Sequence, residues 1–111
     1  MPEPGSDSRS LSYNELIVLH SIAAGARYGL EIMAQTRLSS GTVYPILRRM
    51  EAEGLLSSDR EDTALAKAER RPRRRLHALT RTGTKVLSEA REDLLAHQRA
   101  MGLLDAPAEG S

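Results

Sequence analysis

Arginine is the residue type through which this chain could do its chemistry. The run Arg70-Arg71-Pro72-Arg73-Arg74-Arg75 follows a polar stretch and leads directly into Leu76-His77-Ala78-Leu79. Between Arg60 and Arg81, eight basic residues stand against three acidic ones, a local charge of +5 in a chain whose formal net charge is +1. Positive charge gathered into one segment is the footprint expected opposite a phosphate backbone. Taken alone, the run also reads as a solvated, disordered charge block. A second arginine pair, Arg48-Arg49, lies in residues 39–56, which read as one amphipathic helix. At 100° per residue, Val43, Ile46, Leu47 and Met50 fall on one narrow stripe, with Gly41, Pro45, Arg48 and Ala52 opposite. Thr42 and Arg49 flank one side of the stripe, Tyr44 and Glu51 the other. A ridge of small residues beside arginine lets a helix approach a groove floor, and its N-terminus adds partial positive charge toward phosphates. An ordinary surface helix has the same pattern.

Other chemistries find little support. His20, His77 and His97 are scattered over three predicted elements and read as packing or surface histidines. The acid pairs Glu51/Glu53 and Glu92/Asp93 look like solvated helix faces, and neither a nucleophile elbow nor a phosphate loop occurs. With no cysteine in the chain, disulfides, zinc ribbons and thiol nucleophiles are excluded, and the composition fits a reducing cytoplasm. We therefore expect no catalytic residues, no metal and no cofactor.

The elements that must position the arginines follow from caps and periodicity. At 111 residues the chain has room for one core. Residues 1–10 contain no apolar segment, which speaks against a signal peptide or membrane anchor and for a disordered tail. Ser12-Tyr13-Asn14-Glu15 has the form of a capping box before a buried helix over 16–24 that ends at Gly25. A shorter helix is expected over 28–35, then a tight connection at 36–39. The third helix follows, closed by Gly54 as its C-cap. Pro45 lies beyond that helix's first turn and removes a hydrogen bond, so it should shape the helix start, presenting Thr42 and Tyr44, or else break the chain there. Residues 55–58 read as a strand, 59–73 as a hairpin tip and 75–79 as the returning strand, with Thr80 capping a last helix from about 81 to 101. This order predicts a mainly α fold with a small two-stranded antiparallel β wing, a winged helix-turn-helix over 11–80. A C-terminal dimerisation helix over 81–104 and a disordered tail over 105–111 complete it.

Several of these segments resemble the PadR-like winged-helix transcriptional regulators. Residues 40–51 with Gly54-Leu55-Leu56 resemble that family's third helix, and Gly25 with Tyr28-Gly29-Leu30-Glu31-Ile32 resembles its preceding segment, with Leu30 where an aromatic residue is usual. Residues 71–80 with Gly83 resemble its wing, with Leu76 and His77 in place of two tyrosines. The likeness runs from about Leu11 to Leu95. It implies a dimeric DNA-binding repressor.

Leu87, Ala90, Leu94, His97 and Met101 recur at spacings of three and four, a seam that would continue to Leu104 and could pair with a second copy. Packing on the monomer's own body is the other use of such a seam. The expected partners are double-stranded DNA and a second copy as homodimer, with no membrane. Two third helices would enter successive major grooves of an inverted repeat, with the wings at the flanking backbone or minor groove. Thr42, Tyr44 and Arg48 are expected at base edges, Ser39, Ser40 and Arg49 at phosphates, and Arg71, Arg73 and Arg74 in the wing contact. Because Phe and Trp are absent and the three tyrosines stand at 13, 28 and 44, only Tyr13 could offer stacking near the seam. A small-molecule effector and a protein effector therefore both stay open. Two other readings are a protein-interaction adaptor or heterodimer subunit, whose basic tip meets an acidic partner, and an RNA binder, which the scarcity of aromatics disfavours.

Overall fold

The capping box forms in the computed structural model, which describes residues 10–102. Ser12 N–H donates to Glu15 Oε1 at 3.0 Å and Glu15 N–H to Ser12 Oγ at 3.1 Å. This opens helix α1, Tyr13–Ala23, and Gly25 at φ +115° turns the chain after it. Helix α2, Gly29–Thr36, ends on Arg37 in the left-handed region, whose N–H donates to the Met33 carbonyl at 2.8 Å. Thr36 tightens the connection by donating to the Ile32 carbonyl and accepting from Leu38 N–H. Helix α3, Ser40–Ala52, then runs through Pro45 without a break. Proline lacks the N–H that would reach the Gly41 carbonyl, so the helix continues with that one bond missing.

Strand β1, Leu56–Arg60, pairs antiparallel with β2, Arg75–Leu79, in the register Leu56 to Leu79 through Arg60 to Arg75. The wing tip differs from expectation. Instead of a plain loop it holds a short helix α4, Thr63–Ala68. Asp62 caps it by accepting from Ala64 N–H at 2.9 Å, and Ala66 is buried beneath it. Alanine, leucine and lysine all favour helix, and the Asp62 cap together with the burial of Ala66 holds the short Thr-Ala-Leu-Ala-Lys-Ala run in that form.

Helix α5, Arg81–Ala100, begins at the Thr80 N-cap, which accepts from Gly83 N–H at 2.9 Å. Its start is moored to the turn after α3, where Thr80 N–H donates to the Leu55 carbonyl and the Thr80 hydroxyl to the Gly54 carbonyl. Gly83 permits this approach, since a Cβ there would overlap the Leu55 carbonyl. The core gathers Val18, Leu19 and Ile22 of α1, Ile32 of α2, the α3 stripe Val43, Ile46, Leu47 and Met50, and Val86 and Leu87 of α5. Leu87 is thus a core residue of its own monomer, 2% exposed, and not a free seam position. Beyond it the helix emerges from the core: Leu94 and Leu95 are exposed, as is Met101 just past its end. The expected tails, apart from Ser10, and Leu104 lie outside the described residues. No helix among the described residues is long and apolar enough to cross a membrane.

Candidate nucleic-acid interface

The outer surface of α3 carries Ser39, Ser40, Tyr44 and Arg48 exposed, with Thr42 half-buried. Ser39 lies at the N-cap but makes no side-chain cap bond, and its hydroxyl donates to the Thr42 hydroxyl at 3.3 Å. Tyr44 turns its ring across α2, so a Cβ on Gly29 would collide with the phenol. Glycine at 29 is what lets α2 and Tyr44 pack this closely, while the ring stays 40% exposed.

Arg49 is already committed. Its Nε and Nη2 donate to Glu15 Oε2 at 3.0 and 2.8 Å, tying α3 to α1 through a carboxylate that is buried. The chain therefore uses Arg49 internally, whereas its neighbour Arg48 is exposed on the outward face of the helix.

The wing is organised around one buried acid. Glu61 receives Arg71 Nη1 at 2.5 Å and Nη2 at 2.9 Å, as well as the Arg74 backbone N–H at 3.2 Å. Its backbone carbonyl accepts Arg73 Nε at 2.8 Å, and Arg71 Nε also reaches Glu69 at 2.8 Å. The Arg71 hydrogen bond outweighs the opposing cost of burial and holds the Glu61 carboxyl down at about 2. Arg71 is pushed higher by the same pair. Arg71 thus serves as a buttress inside the wing. Arg74 lies over the Tyr28 ring, 4.0 Å from its centroid, a cation–π contact that joins the wing to the start of α2. Arg75 comes within 3.8 Å of Glu51, whose carboxylate also accepts the Ser58 hydroxyl at 2.8 Å.

These placements bring α3 and the wing onto the walls of one groove of about 710 Å³, with Tyr44 and Arg48 on one side and Arg73, Arg74 and Arg75 on the other. Tyr28 lies between them. Tyr28 and Arg75 stand in segments that the sequence marks, but neither is among the DNA contacts expected from it. The Tyr28 role depends on an arginine 46 positions later, which no local pattern reveals. His77 faces inward at the groove's base, 6% exposed; its backbone N–H donates to the Arg27 carbonyl, and its ring Nδ1 has no partner. Burial pushes its pKa down, with Glu51 opposing and Arg75 adding to the effect, so the ring is neutral at neutral pH.

A second surface lies between α1 and the free half of α5. Tyr13, Leu16, Ile17, Leu94 and Leu95 line it, and Arg91 Nη2 meets His20 Nδ1 at 2.6 Å across it. Of the other expected seam residues, half-buried Ala90 and exposed His97 lie beside Leu16 and Leu94, and Met101 is 71% exposed. His20, His77 and His97 stand on α1, β2 and α5, and the described residues contain no cluster of three or more His, Cys, Asp or Glu that could hold a metal.

Residues 18–89 match the transcriptional regulator PadR-like family. The chain belongs to this family. Members of the PadR-like family are transcriptional regulators, not enzymes, so the basic groove belongs to a regulator of transcription. Solved structures share the winged-helix fold. A PadR family regulator of Clostridium difficile is 24% identical with a TM-score of 0.73, over 84% of this chain and 98% of that one. A PadR-like regulator of Bacillus cereus is 25% identical with a TM-score of 0.64, over 83% and 91%. The regulator BldR of Sulfolobus solfataricus is 23% identical with a TM-score of 0.71, over 89% and 66%. No curated protein matches the chain.

Proposed function

We propose that this PadR-like regulator is a cytoplasmic, dimeric repressor that reads an inverted-repeat operator with α3 in the major groove and the wing against the flanking backbone or minor groove. The observation that carries this reading is the shared groove, which sets outward-facing Arg48 opposite Arg73, Arg74 and Arg75. Thr42, Tyr44 and Arg48 read base edges, and Ser39 and Ser40 meet phosphates. In the wing, Arg73, Arg74 and Arg75 approach the DNA while Arg71 holds the tip in shape. The apolar surface between α1 and α5 pairs two copies through Ala90, Leu94, His97 and Met101 with Tyr13 and Ile17. A repressor of this kind acts by occupying the promoter.

Substitution separates these roles. Arg48→Ala should weaken binding to the selected operator by about 1–3 kcal/mol while leaving random duplex nearly unaffected. Arg73→Ala should weaken both and flatten the salt dependence by about 0.9 for each phosphate it no longer neutralises. An equal loss on both duplexes for Arg48→Ala would remove its base-reading role. Weak, equal binding by the wild type would favour the adaptor reading instead.

A further inference from the structure

Helix α1 has two working faces. Tyr13, Ile17 and His20, at the i, i+4 and i+7 spacing, share the outer face that lines the surface with α5. Glu15, Leu19 and Ile22 lie on the opposite face and are buried. Glu15 performs two tasks there. Its Oε1 closes the α1 capping box through Ser12 N–H, and its Oε2 receives both Arg49 donors from α3. The Glu15 side chain is 6% exposed, whereas Arg49 is 47% exposed, so the pair is anchored on the α1 side. Two donors converging on one oxygen add a directional restraint on rotation of α3 about its axis to the packing of its apolar stripe.

Resting on the operator reading above, we propose that Glu15 is a positioning residue. It fixes the angle of α3 on α1, and because the outer face of α1 belongs to the pairing surface, the Glu15–Arg49 clamp sets the distance and phase between the two α3 helices of a dimer. The clamp thereby determines which half-site spacing is accepted. Arg49 acts through this hold and not through a phosphate.

The test uses the full chain and a duplex selected by the wild-type protein from a random pool, together with the same duplex carrying one base pair inserted or deleted between half-sites. Glu15→Gln keeps an acceptor for the Ser12 cap and removes the charge that holds Arg49. Its preference for the native spacing should fall roughly tenfold, the order of one good base contact. Its affinity for random duplex and the slope of its salt dependence should stay at wild-type values, and thermal unfolding should show a single transition. Arg49→Lys, which keeps a positive charge beside the buried carboxylate but loses the two-donor hold, should shift spacing preference in the same direction and carries the test if Glu15→Gln does not fold. Spacing preference unchanged within twofold in the folded variants overturns the inference. A salt slope lowered by about 0.9 in the double variant Glu15→Gln/Arg49→Gln, which removes the arginine charge without leaving a buried carboxylate unpaired, overturns it as well, because it would place Arg49 on a phosphate. A wild type that selects no sequence at all overturns the operator reading and this inference with it, whereas a selective wild type with indifferent variants overturns the inference alone.

Discussion

Gly83→Ala and Gly41→Ala place the same methyl on two helices and should shift stability in opposite directions. Alanine in place of helical glycine is worth about 0.5–1 kcal/mol in propensity at either site. At Gly41 the new methyl meets only the Ser39 hydroxyl at 3.9 Å, so most of that gain should survive. At Gly83 the methyl overlaps the Leu55 backbone carbonyl, which cannot rotate away as a side chain could. Relief requires the first turn of α5 to back off. That motion stretches the bonds from Thr80 N–H to Leu55 at 3.0 Å and from the Thr80 hydroxyl to Gly54. Two hydrogen bonds at about 1 kcal/mol each, together with loosened packing at Val86 and Leu87, exceed the propensity gain. We expect a net loss of about 2–4 kcal/mol, lowering Tm by about 10 °C or more, against a rise of a few degrees for Gly41→Ala. Far-ultraviolet circular dichroism during heating reads both. A Tm for Gly83→Ala at or above the wild-type value would refute the reasoning. Gly41→Ala further tests the groove: if operator affinity falls while Tm rises, the α3 backbone approaches the DNA closely at that point.

Three further outcomes follow from buried groups. Leu87→Ala should cost about 2–5 kcal/mol of stability with the dimer fraction unchanged below its Tm, whereas Leu94→Asp should shift sedimentation toward the monomer with little loss of Tm; the reverse pattern would move the seam. Glu61 has its carboxyl held near 2 against an ordinary 4.5, so its contribution is complete above pH 4.5 and lost as pH falls toward 2. Backbone amide resonances of Arg71 and Arg74 should shift over that window, Glu61→Gln should reproduce the change at neutral pH, and an unaltered wing in that variant would contradict the assignment. For His77, burial lowers the folded pKa below 6.5, so the unfolded chain takes up the proton first and stability declines as pH falls through 6.5. Denaturant unfolding of His77→Leu should lack that decline, and a parallel pH dependence in both proteins would rule His77 out as its source.

Local signals make much of the fold legible. The Ser12 capping box, the Gly54 turn, the Thr80 cap and the α3 stripe each act within a few residues, and each element they mark is present. The α4 helix escapes such a reading because a hairpin tip between two strands is expected to be loop, although Asp62 and the alanine-rich run after it carry a helix start in plain form. What sequence does not display is engagement at a distance. Arg49, Arg71 and Arg73 look as free as Arg48 until Glu15, 34 positions from Arg49, and Glu61, 10 from Arg71 and 12 from Arg73, are brought beside them. Periodicity likewise places Leu87 and Leu94 on one stripe and is silent on where the monomer's own core stops along it.

The reading of this PadR-like regulator as an operator-binding protein is tested most directly by fluorescence anisotropy of the wild-type chain on duplex from its own promoter and on a shuffled duplex, across a salt series. The expected result is tight, promoter-selective binding whose affinity falls with salt as the wing's phosphate contacts weaken, while the ratio between the two duplexes persists. Weak binding that is equal on both duplexes and disappears with salt would contradict it, leaving the groove's arginines a nonspecific affinity for nucleic acid.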